Sequence, residues 1–185
     1  MPAPIKVELV PHSTDWARMA REEIARISPT FGSNLITVHH VGSTAIPGIC
    51  AKPILDLLPE VIALDALDHA ESSLEKLGYD WWGEYGIAGR RYCTRSDSSS
   101  GRRMIQLHSF QTGHPEIARH LAFRDYLRAN PDVALAYDQE KRRCRDLHPE
   151  DSHAYTDAKT PWIASVMPRA LAFCRSASKV NGSRD

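Results

Sequence analysis

No charge of either sign dominates this sequence: 23 lysines and arginines balance 23 aspartates and glutamates, for a formal net charge of zero. A surface that holds nucleic acid nonspecifically carries a basic surplus, so the balance argues against nucleic acid as a partner. Long apolar runs are missing too. None approaches the ~18 residues of a membrane span, and the first residues lack the apolar core of a secretory signal, so a soluble cytoplasmic protein is expected. Cysteine is sparse. Cys50, Cys93, Cys144 and Cys174 stand far apart with no Cys-x-x-Cys pair; this argues against a zinc ribbon or redox motif and reads as small hydrophobes in a reducing compartment. Internal repeats are absent, and 185 residues fit one domain that buries roughly 70% of its unfolded surface.

Periodicity supplies the next layer. Residues 5–10 alternate apolar and polar and read as a strand. From a cap at Thr14 or Asp15, Trp16, Met19, Ala20, Ile24 and Ile27 fall on one helical face, which Pro29 and Gly32 close. Residues 35–41 and 52–61 are strands flanking a loop. Leu67, Ala70, Leu74 and Leu77 then define a helix over 64–77, ended by Gly78. Strands are expected at 79–84, 88–95 and 104–110, the last two joined by a Ser-rich loop. Beyond Pro115 the period becomes 3.6. One helix stops at Asn130-Pro131, and a second carries Val133, Tyr137, Cys144 and Leu147. A third starts near Glu150 with Trp162, Ile163, Val166, Met167 and Ala170 on its apolar stripe. Pro161 reads there as a first-turn proline behind Thr160, and Pro168 as a kink. The expected fold is α+β. A mixed sheet with flanking helices fills residues 1–112, and a C-terminal helical hairpin or bundle over 113–175 packs on it. Residues 176–185 read as a flexible tail.

Chemistry concentrates between His40 and Asp56, HVGSTAIPGICAKPILD. A strand ends in Gly42-Ser43-Thr44, a Pro47-Gly48 turn follows, and the return strand carries one carboxylate, Asp56. Glycine lets backbone approach a ligand closely, and successive loop N–H groups form an anion cradle. A tight turn between core strands with one surface aspartate has the same spacing, and the residues alone leave both readings open. Basic pairs at Arg90-Arg91 and Arg102-Arg103 are local cation clusters, while Lys141-Arg142-Arg143 reads as the solvated face of a helix.

Three further segments follow in order: Gly86-Ile87-Ala88-Gly89-Arg90-Arg91-Tyr92, His120-Leu121-Ala122-Phe123-Arg124-Asp125-Tyr126-Leu127, and Tyr155-Thr156-Asp157-Ala158-Lys159. Together with the first stretch they resemble the GrpB family (UPF0157), whose hallmark reads close to H-x-G-S-T-[AS]-[VI]-P-G-x-x-[AS]-K-P-I-[IL]-D. The likeness runs along almost the whole chain and implies a nucleotidyltransferase-like fold. Similar transferases hold nucleotide phosphates with a Gly-Ser turn. Their strand-borne Asp-x-Asp pair, with a third acid, holds two Mg²⁺ ions against the phosphate oxygens. By that resemblance Gly42, Ser43 and Thr44 hold phosphate, and Asp56 is the first acid, catalytic and metal-binding.

The second acid is missing, since Leu58 stands two residues on. Glu60 shares the strand face but lies roughly 13 Å along it at ~3.3 Å per residue. The resemblance also includes a His-x-His, of which only His108 is present, with Gln106 in the first place. His108 beside Asp56 gives a carboxylate–imidazole pair for catalysis or metal, with His40 as a third ligand and His39 facing away. Imidazole suits Zn, Ni, Cu or Fe better than Mg. Lys52, next to the Gly-Ser loop, and Arg91 are the expected phosphate-binding cations. Tyr155 and Lys159 share a helical face one turn apart, and in the resembling family such a helix closes the cleft. The expected partners are a nucleotide and a small-molecule acceptor, with a divalent metal (Mg, Mn or Zn) and nucleotidyl transfer as the reaction. Two alternatives stand beside it: a catalytically weak nucleotide- or metabolite-binding module, and a metal-dependent hydrolase or ligase-like enzyme using Asp56 and His108. Oligomeric state is open.

Overall fold

The computed structural model describes residues 3–181, with side chains through residue 176. Helix α1 (Asp15–Phe31) buries Trp16, Ala20, Glu23, Ile27 and Phe31, one stripe at helical spacing. Thr14 makes no capping bond; the Ser13 hydroxyl accepts the Asp15 N–H instead. Pro29 does not end the helix. It sits in the last turn, where a missing N–H costs a single helical bond, and the chain leaves at Gly32 with φ 53°.

Five strands form one sheet: β1 (Leu35–Val41), β2 (Leu55–Val61), β3 (Tyr79–Trp81), β4 (Arg90–Ser96) and β5 (Arg103–Gln111), in the order β1-β2-β5-β4-β3. The β2–β5 pair is parallel and the other pairs are antiparallel. Residues 5–10, expected as a strand, contribute only an isolated bridge between Val10 and Ala51. Their alternation serves packing instead: Val7 is buried with Cys144 and Tyr155. The return strand starts at Leu55 rather than Lys52, since Pro53 has no N–H for a ladder. The single helix expected over 64–77 is two, α2 (Leu64–Asp68) and α3 (Glu71–Lys76). Between them the Ala70 N–H reaches back only to Leu67 O, a tightened turn, while Leu67, Ala70 and Leu74 stay buried.

Each face of the sheet has its own cover. Leu55, Leu57 and Val61 of β2, with Cys93, Ile105 and Leu107, pack under α1, α2 and α3. On the other face Val41, Leu58 and Phe110 pack with Ile117 of α4 (Pro115–Ala129). Helices α5 (Pro131–Leu147) and α6 (Ser152–Asn181) complete that layer, α6 packing on both α4 and α5. Pro161 and Pro168 both lie inside α6, so Pro161 is not a first-turn residue. The helix also runs past the expected tail boundary at Arg175; the rest of that tail, residues 182–185, lies outside the described residues. Among the described residues no helix is long and apolar enough to cross a membrane.

One acid lies on the buried stripe of α1. Glu23, 7% exposed, accepts hydrogen bonds from Tyr79 at 2.5 Å, Arg26 at 2.6 Å and Arg95 at 2.9 Å. Burial alone would push its carboxyl up; bonds from Arg26 and Tyr79 and the charge of Arg95 outweigh burial and hold it below the ordinary value of 4.5. Because the folded value is the lower one, the network's contribution is complete above pH 4.5 and disappears as pH falls through the folded value. Glu23→Gln keeps the shape but removes the charge opposite Arg95, and is expected to cost about 2 kcal/mol. Urea unfolding at neutral and acidic pH reads this: the variant should lose stability at neutral pH and converge on wild type in acid. Equal stability at neutral pH would show that the network contributes nothing.

Candidate functional site

At the end of β1 the chain turns through Gly42, with φ 69°, into a single 3-10 turn, Ser43–Ala45. Glycine is needed there for a second reason. A Cβ at this position would overlap the Asp56 carboxylate and lie 3.0 Å from the Asp56 Cβ. The register places Val41 opposite Asp56, Asp56 beside Gln106, and His108 beside Tyr92. Strand alternation then turns Asp56, Gln106 and His108 toward the face that α4 covers. His108 Nε2 lies 3.3 Å from Asp56 Oδ1; an ionised carboxylate only accepts, so this ring nitrogen carries the proton. Burial pushes the Asp56 carboxyl up, but His108, Lys52 and His120 together hold it below the usual range.

Lys52 is positioned from behind. Asp138 of α5 accepts the Cys50 N–H at 2.7 Å, and Lys141 donates to the Cys50 carbonyl, clamping the loop just before Lys52. Lys141 is therefore not on a solvated face as its charge run implied. It is 1% exposed, with Asp138 at 3.4 Å. Helix α6 forms the opposite wall, presenting Tyr155, Thr156, Lys159, Thr160 and Ile163 at helical spacing. The Lys159 and Lys52 ammonium groups lie 4.1 and 5.5 Å from the centre of the Tyr155 ring, within cation–π reach. Neither has an ion-pair or hydrogen-bond partner among the described residues. Burial lowers the affinity of both for a proton; for Lys159 the neighbouring Lys52 charge adds to it, against Asp56, and pushes it down to about 7.

These walls enclose a cleft of about 430 Å³. Gly42, Ser43, Thr44, Lys52, Asp56, His108, Tyr155 and Lys159 all line it. Arg91 does not. It shares a strand face with Cys93 on the α1 side and forms a two-pronged pair with Asp68 of α2 at 2.5 and 2.8 Å. His40 is also outside the cleft wall. Val41 faces Asp56, so its neighbour His40 points to the other side of β1 and meets Thr44 Oγ1 at 2.9 Å, bracing the turn. Burial, with the charges of Arg128 and Arg124, outweighs Asp56 and pushes His40 down to about 4. His39 in turn is on the Leu58 face, 3.6 Å from Glu60.

Among the lining residues without a role from sequence are three ionisable ones of α4: Glu116, Arg119 and His120. Their spacing of three and four puts them on one helix face, and His120 opens one of the segments quoted above, so the signal was present. The His120 Nδ1 bonds the Glu116 carbonyl at 2.8 Å, and its ring centre lies 5.9 Å from that of His108.

The donor set does not fit a two-Mg²⁺ centre, which requires several carboxylates around both ions. Leu58, in the place of the second acid, is fully buried among Val41, Phe110 and Ile117. Glu60 is engaged by Thr112 at 2.6 Å, and Glu116 by Arg119 at 2.5 Å. Among the described residues no three His, Cys, Asp or Glu side chains converge as a metal site.

The family model described as GrpB protein matches residues 6–169. The chain is 38% identical over 178 residues to UPF0157 protein YqkA of Bacillus subtilis (strain 168), covering 96% of this chain and 51% of that relative. It thus spans about half that relative's length. The crystal structure of conserved protein GrpB from Enterococcus faecalis superposes with a TM-score of 0.83 at 32% identity, over 89% of this chain and 98% of that one. The Cid1 poly(U) polymerase, solved with MgGTP bound, matches with a TM-score of 0.53 at 11% identity, over 75% of this chain and 46% of that one. That last likeness is one of fold.

Proposed function

The chain belongs to the GrpB family, with a nucleotidyltransferase-like fold, and we propose that its cleft binds a phosphate-bearing small molecule, a nucleotide, by lysine charge rather than by paired metal ions. One observation carries this reading: Lys52 and Lys159 converge on the Tyr155 ring, facing the cleft without an ion-pair or hydrogen-bond partner among the described residues. Holding two cations close together inside a protein is costly unless an anion joins them. A phosphate group fits that need, with the Ser43 hydroxyl beside it. Asp56, kept ionised by His108 and Lys52, is then the acceptor on the floor for a sugar hydroxyl. With one floor carboxylate, Mg²⁺-dependent nucleotidyl transfer is slow or absent, and binding is the activity that persists.

Calorimetry with ATP in the presence of a chelator tests the reading. Binding without metal is expected, and Lys159→Met should weaken it by roughly 10- to 100-fold, the loss of one charged hydrogen bond. A bound anion raises the proton affinity of Lys159 above its free value of about 7, so affinity should decline as pH rises past 7. In Lys159→Met that decline should vanish. Binding that requires Mg²⁺, Mn²⁺ or Zn²⁺ and survives Lys159→Met would overturn the proposal in favour of a metal-held ligand on Asp56 and His108.

A further inference from the structure

Lys52 borders a second cleft, of about 700 Å³, on its other side. The walls there are apolar: Trp16 and Met19 of α1, and Met104 of β5. The charges around it do not balance. Glu8 is taken by Arg102 at 2.5 Å, and Lys6 by Glu150 at 3.7 Å. Asp97 is satisfied by the hydroxyls of Ser99 and Ser100, at 2.6 and 2.8 Å. Arg103 has nothing. Its Nε is buried without a hydrogen-bond partner, and its guanidinium makes no ion pair among the described residues. Lys52, which makes no direct ion pair among the described residues, adds a second cation at the junction of the two clefts.

A half-buried guanidinium without an ion pair among the described residues is the arrangement that an anionic ligand resolves. The guanidinium fork matches the paired oxygens of a carboxylate or phosphate. We propose that this cleft is a second ligand site, for a small molecule with an oxyanion head on an apolar body. The head sits on Arg103 and Lys52; the body lies against Trp16, Met19 and Met104. The site stands apart from the nucleotide reading and shares only Lys52 and Ile54 with it. Two ligands bound together would meet at that lysine.

NMR titration of the full chain with phenylacetate, phenyl phosphate and the neutral phenylacetamide tests this. At least one anion should bind, with the amide weaker by about tenfold or more. The tighter anion names the head group. Arg103→Met should weaken that anion by about the same factor, and Arg103→Lys should recover part of the loss. Lys159→Met, on the far wall of the first cleft, reaches this site only through Lys52 and should weaken the anion less than Arg103→Met does, which separates this site from nucleotide binding. Equal affinity for amide and anions overturns the proposal, a comparison that needs only the wild-type chain. So does anion binding that Lys159→Met abolishes and Arg103→Met spares, because the probe would then occupy the first cleft.

Discussion

Leu58→Asp is expected to leave no cooperatively folded protein at neutral pH, although it restores the Asp-x-Asp spacing of a two-metal transferase. The side chain is fully buried beneath α4, packed with Val41, Phe110 and Ile117. Losing a buried leucine costs about 2–5 kcal/mol by itself. A carboxylate in its place either stays ionised without a partner or takes up a proton, and both add several kcal/mol. The sum approaches or exceeds the ~5–15 kcal/mol that holds an ordinary domain together. Circular dichroism and urea titration check it, with Leu58→Met as the volume-conserving control that should fold. A folded Leu58→Asp chain that gains Mn²⁺ affinity would show that α4 leaves this position open to the cleft.

Gly42→Ala should combine a stability loss with a loss of ligand. The backbone there, φ 69° and ψ −171°, is a conformation essentially confined to glycine, worth about 1–3 kcal/mol of strain. The added methyl then overlaps the Asp56 carboxylate. Either the turn moves or Asp56 leaves His108, and a charged hydrogen bond of about 1.5–3 kcal/mol goes with it. A total of about 3–6 kcal/mol is expected, with ATP binding undetectable even in chains that remain folded. Wild-type affinity in Gly42→Ala would mean that the turn does not shape the site. Asp56→Ala in the same background supplies the second reading. By removing the overlap it should regain part of the stability, whereas strain alone would leave it unchanged.

Alternation marks the five sheet strands, where the Gly-Ser-Thr turn between β1 and β2 has no helical competitor, but it also marks residues 5–10, which pack without joining the sheet. What alternation does not tell is which of two faces meets the ligand. His40 and Arg91 are expected at the site but turn to the strand faces away from the cleft, a binary choice that flips every residue of a strand together. One position away, Val41 lies opposite Asp56 and Tyr92 opposite His108. Lys141 shows a different limit. A run of three cations reads as solvated, yet one turn of α5 carries Asp138 and Lys141 inward, where Cys50 offers both an N–H and a carbonyl. That pairing joins residues about ninety positions apart, beyond any local pattern. The usual preference of proline puts Pro161 at a helix start, but packing of α6 along α4 and α5 overrides it.

Because α6 supplies the wall with Tyr155 and Lys159, the site is finished late in the life of each new chain. Translation proceeds at about 5–20 residues per second, so Gly42, Asp56 and His108 emerge several seconds before the residues that face them. Until α6 docks, the surfaces around Phe123 and Tyr137 that receive Trp162 stand bare. A ligand that grips both walls adds stability only to chains that have reached that stage, in proportion to its concentration over its dissociation constant. Chains cut short before Ser152 gain nothing from it and keep their apolar flank open to proteases, so ligand supply would sort complete copies from broken ones.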